Sequence, residues 1–389
     1  MPSATSTSLP ARAWSAGLDR LACIGSGGRV VPVQPGPAGL PRVSVVVPCY
    51  NYGHYLAECV DSVLGQAGVT ADVLIVDDAS PDGSGEVAEE IAAASGGRVR
   101  AMRHERNRGH IETYNDGLAE VEGEYVTLLS ADDLLPPGAL GRATALLEEH
   151  PSVGFAYGRA VSFSSAPPLA RTEPSGWTIW AGEDWLGERY RRGRNPICSP
   201  EVVLRTSVQR EIGGYRPQLP HSGDLEMWIR AAAIADVGYV GGADQAWYRV
   251  HDANMHHTAF RSGKRDGMVV DMGERLRAFE SAATEISGRV AGTDRLLTSA
   301  RRAVAVEALT LALRAFYWGI AETWPVDDLV EFALEVYPGT RRLPQWRALA
   351  VQRRLGTGWG RRNPVSLGHE AALRAKSEAR DWRLERAGL

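Results

Sequence analysis

The sequence predicts an α/β fold in which a mainly parallel sheet is followed by a helical C-terminal region. Between residues 43 and 157, short β-branched runs alternate with amphipathic segments. This alternation is typical of strands and helices that build a parallel sheet. From about Asp271, only helical periodicity remains. The predicted organisation is a flexible tail over 1–41, an α/β domain over 42–260 and a helical region over 261–389.

Each predicted element follows from local periodicity and from the residues that end it. The predicted strands are 43–47, 73–76, 99–103, 125–129, 153–157, 202–204, 238–240 and 246–250. The helices predicted within the α/β domain are 55–66, 85–94, 111–120, 140–149 and 224–233. The C-terminal helices are predicted over 303–318, 326–336 and 345–355, with a charged helix over 370–389.

Composition and the N-terminal segment indicate the class of protein. Residues 1–41 are rich in Ser, Pro, Gly and Ala, which predicts a flexible tail with at most a short helix over 14–22. The tail has no apolar core behind basic residues, so we expect no signal peptide. The four cysteines have no metal-ligand spacing, which favours a reduced, cytoplasmic protein. A net charge of -4 gives no indication of a nucleic-acid partner.

Polar clusters follow four of the predicted strands, at the point where each strand ends. They are 49–54, 77–82, 106–110 and Asp132-Asp133. In an open parallel sheet the ligand lies beyond the carboxyl ends of the strands, so the clusters should meet at one crevice. Asp132 and Asp133 suit a hard cation with oxygen ligands, the usual partner of a diphosphate. Two structural alternatives stay open: these acids cap the helix that starts near Pro137, and 77–82 is a turn.

Seven short motifs, in order along the chain, resemble the GT-A domain of family 2 glycosyltransferases. They are Pro48-Cys-Tyr-Asn51, Val76-Asp-Asp-Ala-Ser80, Asn107-Arg-Gly109, Ser130-Ala-Asp-Asp133, Gly213-Gly-Tyr215, Gly223-Asp-Leu-Glu-Met-Trp228 and Tyr248-Arg-Val-His251. The resemblance covers about residues 43–255 and implies a Rossmann-like, nucleotide-binding sheet. It also implies sugar transfer, with inversion, from a nucleotide-diphosphate sugar to a hydroxyl-bearing acceptor. The acceptor would be a small molecule, such as a natural product, or a cell-surface glycan precursor.

The resemblance assigns roles to individual residues. The residues expected to contact the donor are Pro48, Tyr50, Asn51, Asp77, Asp78, Asn107, Gly109, Asn115, Ala131, Asp132 and Arg249. The residues expected to contact the acceptor are Asp133, Gly214, Tyr215 and Trp228. Asp132 is expected to bind Mg²⁺ or Mn²⁺ at the diphosphate. His251 matches a position that reaches the cation in some relatives, although imidazole suits transition metals and Mg²⁺ prefers oxygen.

The resemblance implies that Asp224 is the catalytic base. A hydroxyl acceptor is a poor nucleophile and needs a base within hydrogen-bond reach. The alternative is that Asp224 is a helix N-cap. Glu226 is the second candidate base, but two positions along a helix it points about 200° away from Asp224.

Two departures from the family pattern bear on the cation. Ser130 stands where the family's metal motif commonly begins with Asp, and Tyr52 stands where many relatives carry an acid. Asp132, the substrate phosphates and water would then hold the ion, and Mg²⁺ readily keeps several waters. Because Ser130 supplies no carboxylate, a second interpretation stays open: the protein is a non-catalytic scaffold or sensor that binds nucleotide sugars. A sugar-phosphate nucleotidyltransferase would need a Gly-rich, basic loop after the first strand, and residues 48–51 are not one.

Two regions have a role that the motifs do not decide. Residues 158–200 hold Trp177, Trp180, Trp185 and the basic run 189–194. They form either a surface lid with a solvated charged face or an aromatic wall of the acceptor pocket. The basic stretch over 341–362, with Trp346 and Trp359, contacts an anionic membrane, lies in solvent or forms a homodimer contact.

Overall fold

The computed structural model describes residues 21–23, 26–34, 36, 39–254, 267–356 and 364–388. Within these residues, nine strands form a single sheet on which twelve α-helices pack. The strands are β1 Arg29–Val31, β2 Arg42–Cys49, β3 Thr70–Asp77, β4 Val99–Arg103, β5 Tyr125–Leu128, β6 Val153–Phe163, β7 Gly176–Trp180, β8 Val203–Arg205 and β9 Asp236–Arg249. The helices are α1 Gly53–Leu64, α2 Ser84–Ala94, α3 His110–Ala119, α4 Ala139–Glu149, α5 Gly182–Arg192, α6 Thr206–Ile212, α7 Gly223–Ala232, α8 Gly267–Ile286, α9 Thr293–Trp318, α10 Val326–Val336, α11 Pro344–Leu355 and α12 Pro364–Ala387.

The sheet is parallel where the predicted site lies. Its strand order is β1-β7-β9-β6-β8-β5-β2-β3-β4. The neighbours β5, β2, β3 and β4 are all parallel, as are β6 and β9. The short strand β8 runs antiparallel between β5 and β6, and β7 and β1 add antiparallel pairs at the other edge. This arrangement confirms the predicted α/β fold with a C-terminal helical region.

The parallel strands are recognisable in the sequence because helices cover both faces of the sheet. Val43, Val45, Val46 and Val47 of β2 are all almost fully buried. Strands buried on both faces read as continuous apolar runs instead of alternating ones. The predicted strands 43–47 and 73–76 therefore correspond to β2 and β3. The predicted strand 99–103 corresponds to β4, a largely exposed strand at the edge of the sheet.

The structure corrects several element predictions. Strand β1 pairs with β7 inside the segment predicted as a flexible tail, because Arg29–Val31 complete the edge of the sheet. The two predicted strands over 238–250 are one strand, β9, which bends at register shifts against β6. Of the helix predicted over 14–22, Leu21 and Ala22 are helical and the rest lies outside the described residues.

Residues 158–200 contribute core residues that neither alternative predicted. Trp177, Trp180 and Trp185 are at most 1% exposed and belong to the core, so they form no pocket wall. Arg189 is also buried and lies over the ring of Trp185, so the basic run is solvated only in part, as at the exposed Arg191. Helix α9 covers α5 and excludes water from this side of the sheet.

The C-terminal helices are joined to the α/β domain by a shared core. Phe279 on α8 and Ala387 on α12 pack in the same apolar cluster as Phe155 and Trp228. A second cluster joins α9, α10 and α11. No helix in the described ranges combines the length and the apolar content that a membrane span needs.

Candidate active site

Two strained residues shape the crevice at the carboxyl edge of β2 and β3. Asn51 has φ 63° and Ala79 has φ 56°, a region that residues other than glycine rarely adopt. The backbone N–H of Asn51 donates to Ser80 Oγ at 3.0 Å, which ties the two loops together. Such backbone costs about 1–3 kcal/mol per residue and clusters at ligand sites.

Asp78 organises the next loop. Its carboxylate accepts hydrogen bonds from the backbone N–H groups of Arg108 and Gly109 at 2.7 and 2.8 Å, and it contacts His104 Nδ1 at 2.8 Å. Burial acts to raise the pKa of Asp78, but these hydrogen bonds outweigh it and lower the pKa. Gly109 has φ +84°, which a side chain would strain. Asp78 therefore stays ionised and fixes the position of the loop that leads into α3.

A cavity of about 390 Å³ opens beside these loops, lined by Ala79, Ser80, Arg103, His104 and Glu105. Two buried oxygens near the ends of β2 and β3, Asn51 Oδ1 and Asp77 Oδ1, find no hydrogen-bond partner among the described residues. Buried polar groups are normally paired, so these two acceptors are available to N–H donors of a ligand. Of the other predicted donor residues, Tyr50 and Asn107 are exposed and Pro48 is partly exposed, whereas Ala131 is buried.

A bridge to β9 fixes the loop that carries Asp132. Leu134 and Trp247 exchange two backbone hydrogen bonds of 3.0 and 2.9 Å. The backbone N–H of Arg249 then donates to Asp133 Oδ1 at 2.9 Å. These contacts bring the end of β9 and residues 250–254 next to Asp132. The helix-cap alternative for Asp132 and Asp133 is wrong, because Gly138 occupies the N-cap of α4.

Asp132 and His251 form the pair that could hold a cation. Asp132 Oδ2 lies 3.0 Å from His251 Nε2 and accepts a hydrogen bond from Asn254 Nδ2 at 3.2 Å. The rings of Tyr52 and Tyr55 pack against the imidazole at centroid distances of 5.4 and 5.6 Å. In the described part of the chain, no group of three or more His, Cys, Asp or Glu residues could enclose a metal ion. The pair fits a cation that takes its other ligands from a diphosphate and water.

Asp133 and Arg249 support this loop and are not exposed to a ligand. Burial, followed by the charge of Asp132, raises the pKa of Asp133 well above its ordinary value. Arg249 Nε donates to the Asp132 carbonyl at 2.8 Å, and Nη2 donates to Glu58 at 2.6 Å. Its guanidinium also lies over the rings of Tyr55 and Phe163. The structure thus gives both residues a supporting role instead of the predicted acceptor and donor contacts.

Asp224 lies across the crevice, at the second position of α7. Its carboxylate accepts hydrogen bonds from Ser199 Oγ and from the Tyr215 hydroxyl. Burial raises its pKa, while these two hydrogen bonds and the nearby His110 partly offset the rise. The N-cap alternative is wrong because Ser222 holds that position. A carboxylate with a raised pKa is better matched to accept a proton near neutral pH.

Glu226 is not available as a base. Its carboxylate is fully buried and receives hydrogen bonds of 2.7–2.9 Å from Arg230. Arg230 Nη2 also donates to the Gly214 carbonyl at 2.8 Å. The ion pair therefore anchors the turn before α7.

Asn115 and Trp228 take positions that differ from those predicted. The Asn115 amide donates to the Tyr215 carbonyl at 2.9 Å and accepts from its N–H at 2.7 Å, so it clamps the turn instead of facing a donor. A Cβ at Gly214 would lie 2.3 Å from Asn115 Oδ1, which explains the glycine. Trp228 is 3% exposed and stacks on Phe155, so it belongs to the core and not to an acceptor surface.

Tyr114 links Asp224 and Asp132 electrostatically. Burial raises the pKa of Tyr114, and the charges of Asp224 and Asp132 add to the effect in that order. One tyrosine therefore lies within electrostatic reach of both carboxylates. His110 lies at the end of the predicted polar cluster 106–110, but no role was predicted for it. Ser199, Tyr114 and Asn254 were not predicted. Of these three, Asn254 had a local signal, because it lies three residues beyond the Tyr248–His251 motif.

Comparison with known proteins points to one family. The family model for glycosyl transferase family 2 matches residues 44–208. This part of the chain is similar to glycosyltransferase family 2. The match includes Asp78 and Asp132 and ends before Asp224 and His251.

Similar proteins point to the same family. The chain is 29% identical to the putative glycosyltransferase EpsE of Bacillus subtilis over 217 residues, which cover 54% of this chain and 73% of that protein. It is 39% identical to the glycosyltransferase GlyG of Streptococcus pneumoniae over 93 residues, which cover 24% of this chain and 31% of that protein. Its fold matches the crystal structure of S. aureus TarS 1-349 with a TM-score of 0.52 and 17% identity, over 81% and 92% of the two chains. The GT-A fold expected from the resemblance is thereby confirmed.

Proposed function

We propose that this protein moves a sugar, with inversion, from a nucleotide-diphosphate sugar to a hydroxyl group of its acceptor. Asp224 is the base, and Asp132 with His251 binds the divalent cation. The observation that carries the proposal is the placement of a carboxylate with a raised pKa in the same crevice as the Asp132–His251 pair.

The residues of the crevice divide the work of binding the donor. The loops of Asn51, Asp77 and Asp78 form the nucleotide pocket. There the two unpaired buried oxygens, Asn51 Oδ1 and Asp77 Oδ1, can accept hydrogen bonds from N–H groups of the nucleobase. The Asp132–His251 pair faces the diphosphate, whose departing negative charge a bound cation would stabilise. Imidazole is a ligand for transition metals more than for Mg²⁺, so the pair favours Mn²⁺.

Asp224 performs the proton chemistry. Its carboxylate accepts the proton of the acceptor hydroxyl as that oxygen attacks the anomeric carbon. With the base on one face of the sugar and the leaving diphosphate on the other, displacement is in line and the anomeric centre inverts. The acceptor is a small molecule, such as a natural product, or a glycan precursor.

The Ser199 hydroxyl lowers the pKa of Asp224, so removing this hydroxyl should change the pH dependence of sugar transfer. In Ser199→Ala, Asp224 loses a hydrogen bond that stabilises its charged form, so its pKa should rise further. A hydrogen bond to a charged group contributes about 1.5–3 kcal/mol, and one pKa unit corresponds to about 1.4 kcal/mol. The acidic limb of the pH profile of kcat/KM should therefore move upward by about one to two pH units.

A matched control distinguishes the change in the pKa of Asp224 from the general effect of losing a hydrogen bond between a serine and an aspartate. Ser152 Oγ donates to Asp236 Oδ2 at 2.7 Å, where β6 and β9 begin. Ser152→Ala should leave the pH profile unchanged. Tyr215→Phe should move the limb in the same direction as Ser199→Ala, because the Tyr215 hydroxyl also lowers the pKa of Asp224. An unchanged limb in both active-site variants would show that Ser199 and Tyr215 do not tune the base.

Thermal unfolding with nucleoside diphosphates and nucleotide sugars tests the proposed function without knowledge of the acceptor. A ligand that binds only the folded protein raises the free energy of unfolding.

A further inference from the structure

The stretch with the most basic residues between two consecutive acidic residues lies in the C-terminal helices. Residues 336–369 contain seven arginines and no Asp or Glu. The rest of the chain carries the other 36 of the 43 Lys and Arg residues and all 47 acidic residues. We call 336–369 the basic segment. Clusters of four to eight basic residues are typical of surfaces that bind anionic lipids.

Helix α11 presents part of the basic segment to solvent. Arg347, Val351, Arg354 and Leu355 are exposed and spaced four, three and one residues apart, so they share one face of the helix. The opposite face buries Leu349 and Gln352. Val351 and Leu355 are 52% and 39% exposed. The outer face of α11 therefore combines cationic and aliphatic side chains.

Most arginines of α11 and of the turn before it are not neutralised within the described ranges. The exception is Arg353, which pairs with Asp327 at 2.5 Å. Arg341 lies over the ring of Trp346 at 5.8 Å and keeps its charge exposed. Arg342, Arg347 and Arg354 are exposed and form no ion pair with any other described residue. A solvated surface helix would normally interleave both signs of charge, which this segment does not do.

We propose that the outer face of α11, with the exposed Arg341 and Arg342 just before it, docks on an anionic lipid surface. The arginines meet the phosphate headgroups, and Val351 and Leu355 enter the boundary with the acyl chains. Exposed aliphatic side chains gain nothing from a soluble polyanion, and this favours a bilayer over a nucleic acid. The proposal is independent of the chemistry proposed for the crevice.

Vesicle flotation with the full chain tests this docking. The protein should float with phosphatidylcholine–phosphatidylglycerol vesicles, should not float with phosphatidylcholine alone, and should be released by salt. Each arginine near an anionic surface contributes about 1 kcal/mol, so R347Q/R354Q should weaken binding about 30-fold.

The matched control removes the same charge at the same spacing. Arg295 and Arg302 are exposed on α9, also seven residues apart. R295Q/R302Q should bind vesicles like the unaltered protein, and both variants should keep its unfolding temperature. Three outcomes would each overturn the proposal. The protein could bind neutral and anionic vesicles equally, or both double variants could lose the same amount of binding. It could also bind a soluble polyanion such as RNA but no vesicles.

Discussion

Asp224→Asn should lower kcat/KM for sugar transfer by about 10²- to 10⁴-fold, the usual contribution of a general base. Asparagine keeps the size of the side chain and an oxygen that accepts from Ser199 and Tyr215. It cannot take a proton from the acceptor hydroxyl. The donor should still bind with unchanged affinity, because the nucleotide pocket and the Asp132–His251 pair lie elsewhere in the crevice. Steady-state kinetics and donor titration measure the two effects separately.

Asp294→Asn is the control for this variant. Asp294 occupies the second position of α9, as Asp224 does in α7, and is exposed. The same chemical change at the same helix position should leave transfer unaffected. Transfer by Asp224→Asn at more than about a tenth of the normal rate would exclude Asp224 as the base, since a base contributes at least about 100-fold.

Asp132→Asn should abolish the part of donor binding that depends on Mn²⁺. The substitution removes the charge from the only carboxylate that contacts His251 Nε2 within the described residues. A donor at 100 times its dissociation constant stabilises the folded protein by about 2.7 kcal/mol. In Asp132→Asn, adding Mn²⁺ should no longer increase the stabilisation that the nucleotide gives alone. Thermal unfolding with and without the ion measures this difference.

Asp252→Asn provides the comparison for the cation site. Asp252 is exposed and follows His251 directly, so it shares the local charge without contacting the pair. This variant should retain the full effect of Mn²⁺. If Mn²⁺ kept its full effect in Asp132→Asn as well, Asp132 would not be a ligand of the cation.

The residues at the parallel strand ends could be predicted because burial on both faces leaves an unbroken apolar run. The run 126–129 ends directly at the loop of Asp132, and 73–76 ends at Asp77 and Asp78. Their meeting at one edge then follows from the parallel order of β5, β2 and β3. This part of the site depends on local sequence and on one rule of sheet topology.

The remainder depends on contacts between distant segments, which leave no local pattern. Asn115 reads as a polar helix residue, but its partner Tyr215 lies 100 positions further along the chain. Ser199 begins a short 3-10 helix, Ser199–Glu201, which packs on β5, β6 and β9 and brings the Ser199 hydroxyl to Asp224. Arg189 belongs to a run that reads as solvated, and it is buried because α9 covers α5. Tertiary packing overrode the local polarity in each case.

The most direct test of the proposed function is thermal unfolding against a panel of nucleoside diphosphates and nucleotide sugars, with and without Mn²⁺ or Mg²⁺. One nucleotide class should raise the unfolding temperature, more so with Mn²⁺, by the equivalent of about 2.7 kcal/mol at 100 times the dissociation constant. Absence of a shift with every nucleotide, in a protein shown to be folded, would contradict a nucleotide-sugar donor. A shift for a nucleotide sugar that is never consumed, whatever the acceptor, would favour a non-catalytic nucleotide-sugar sensor.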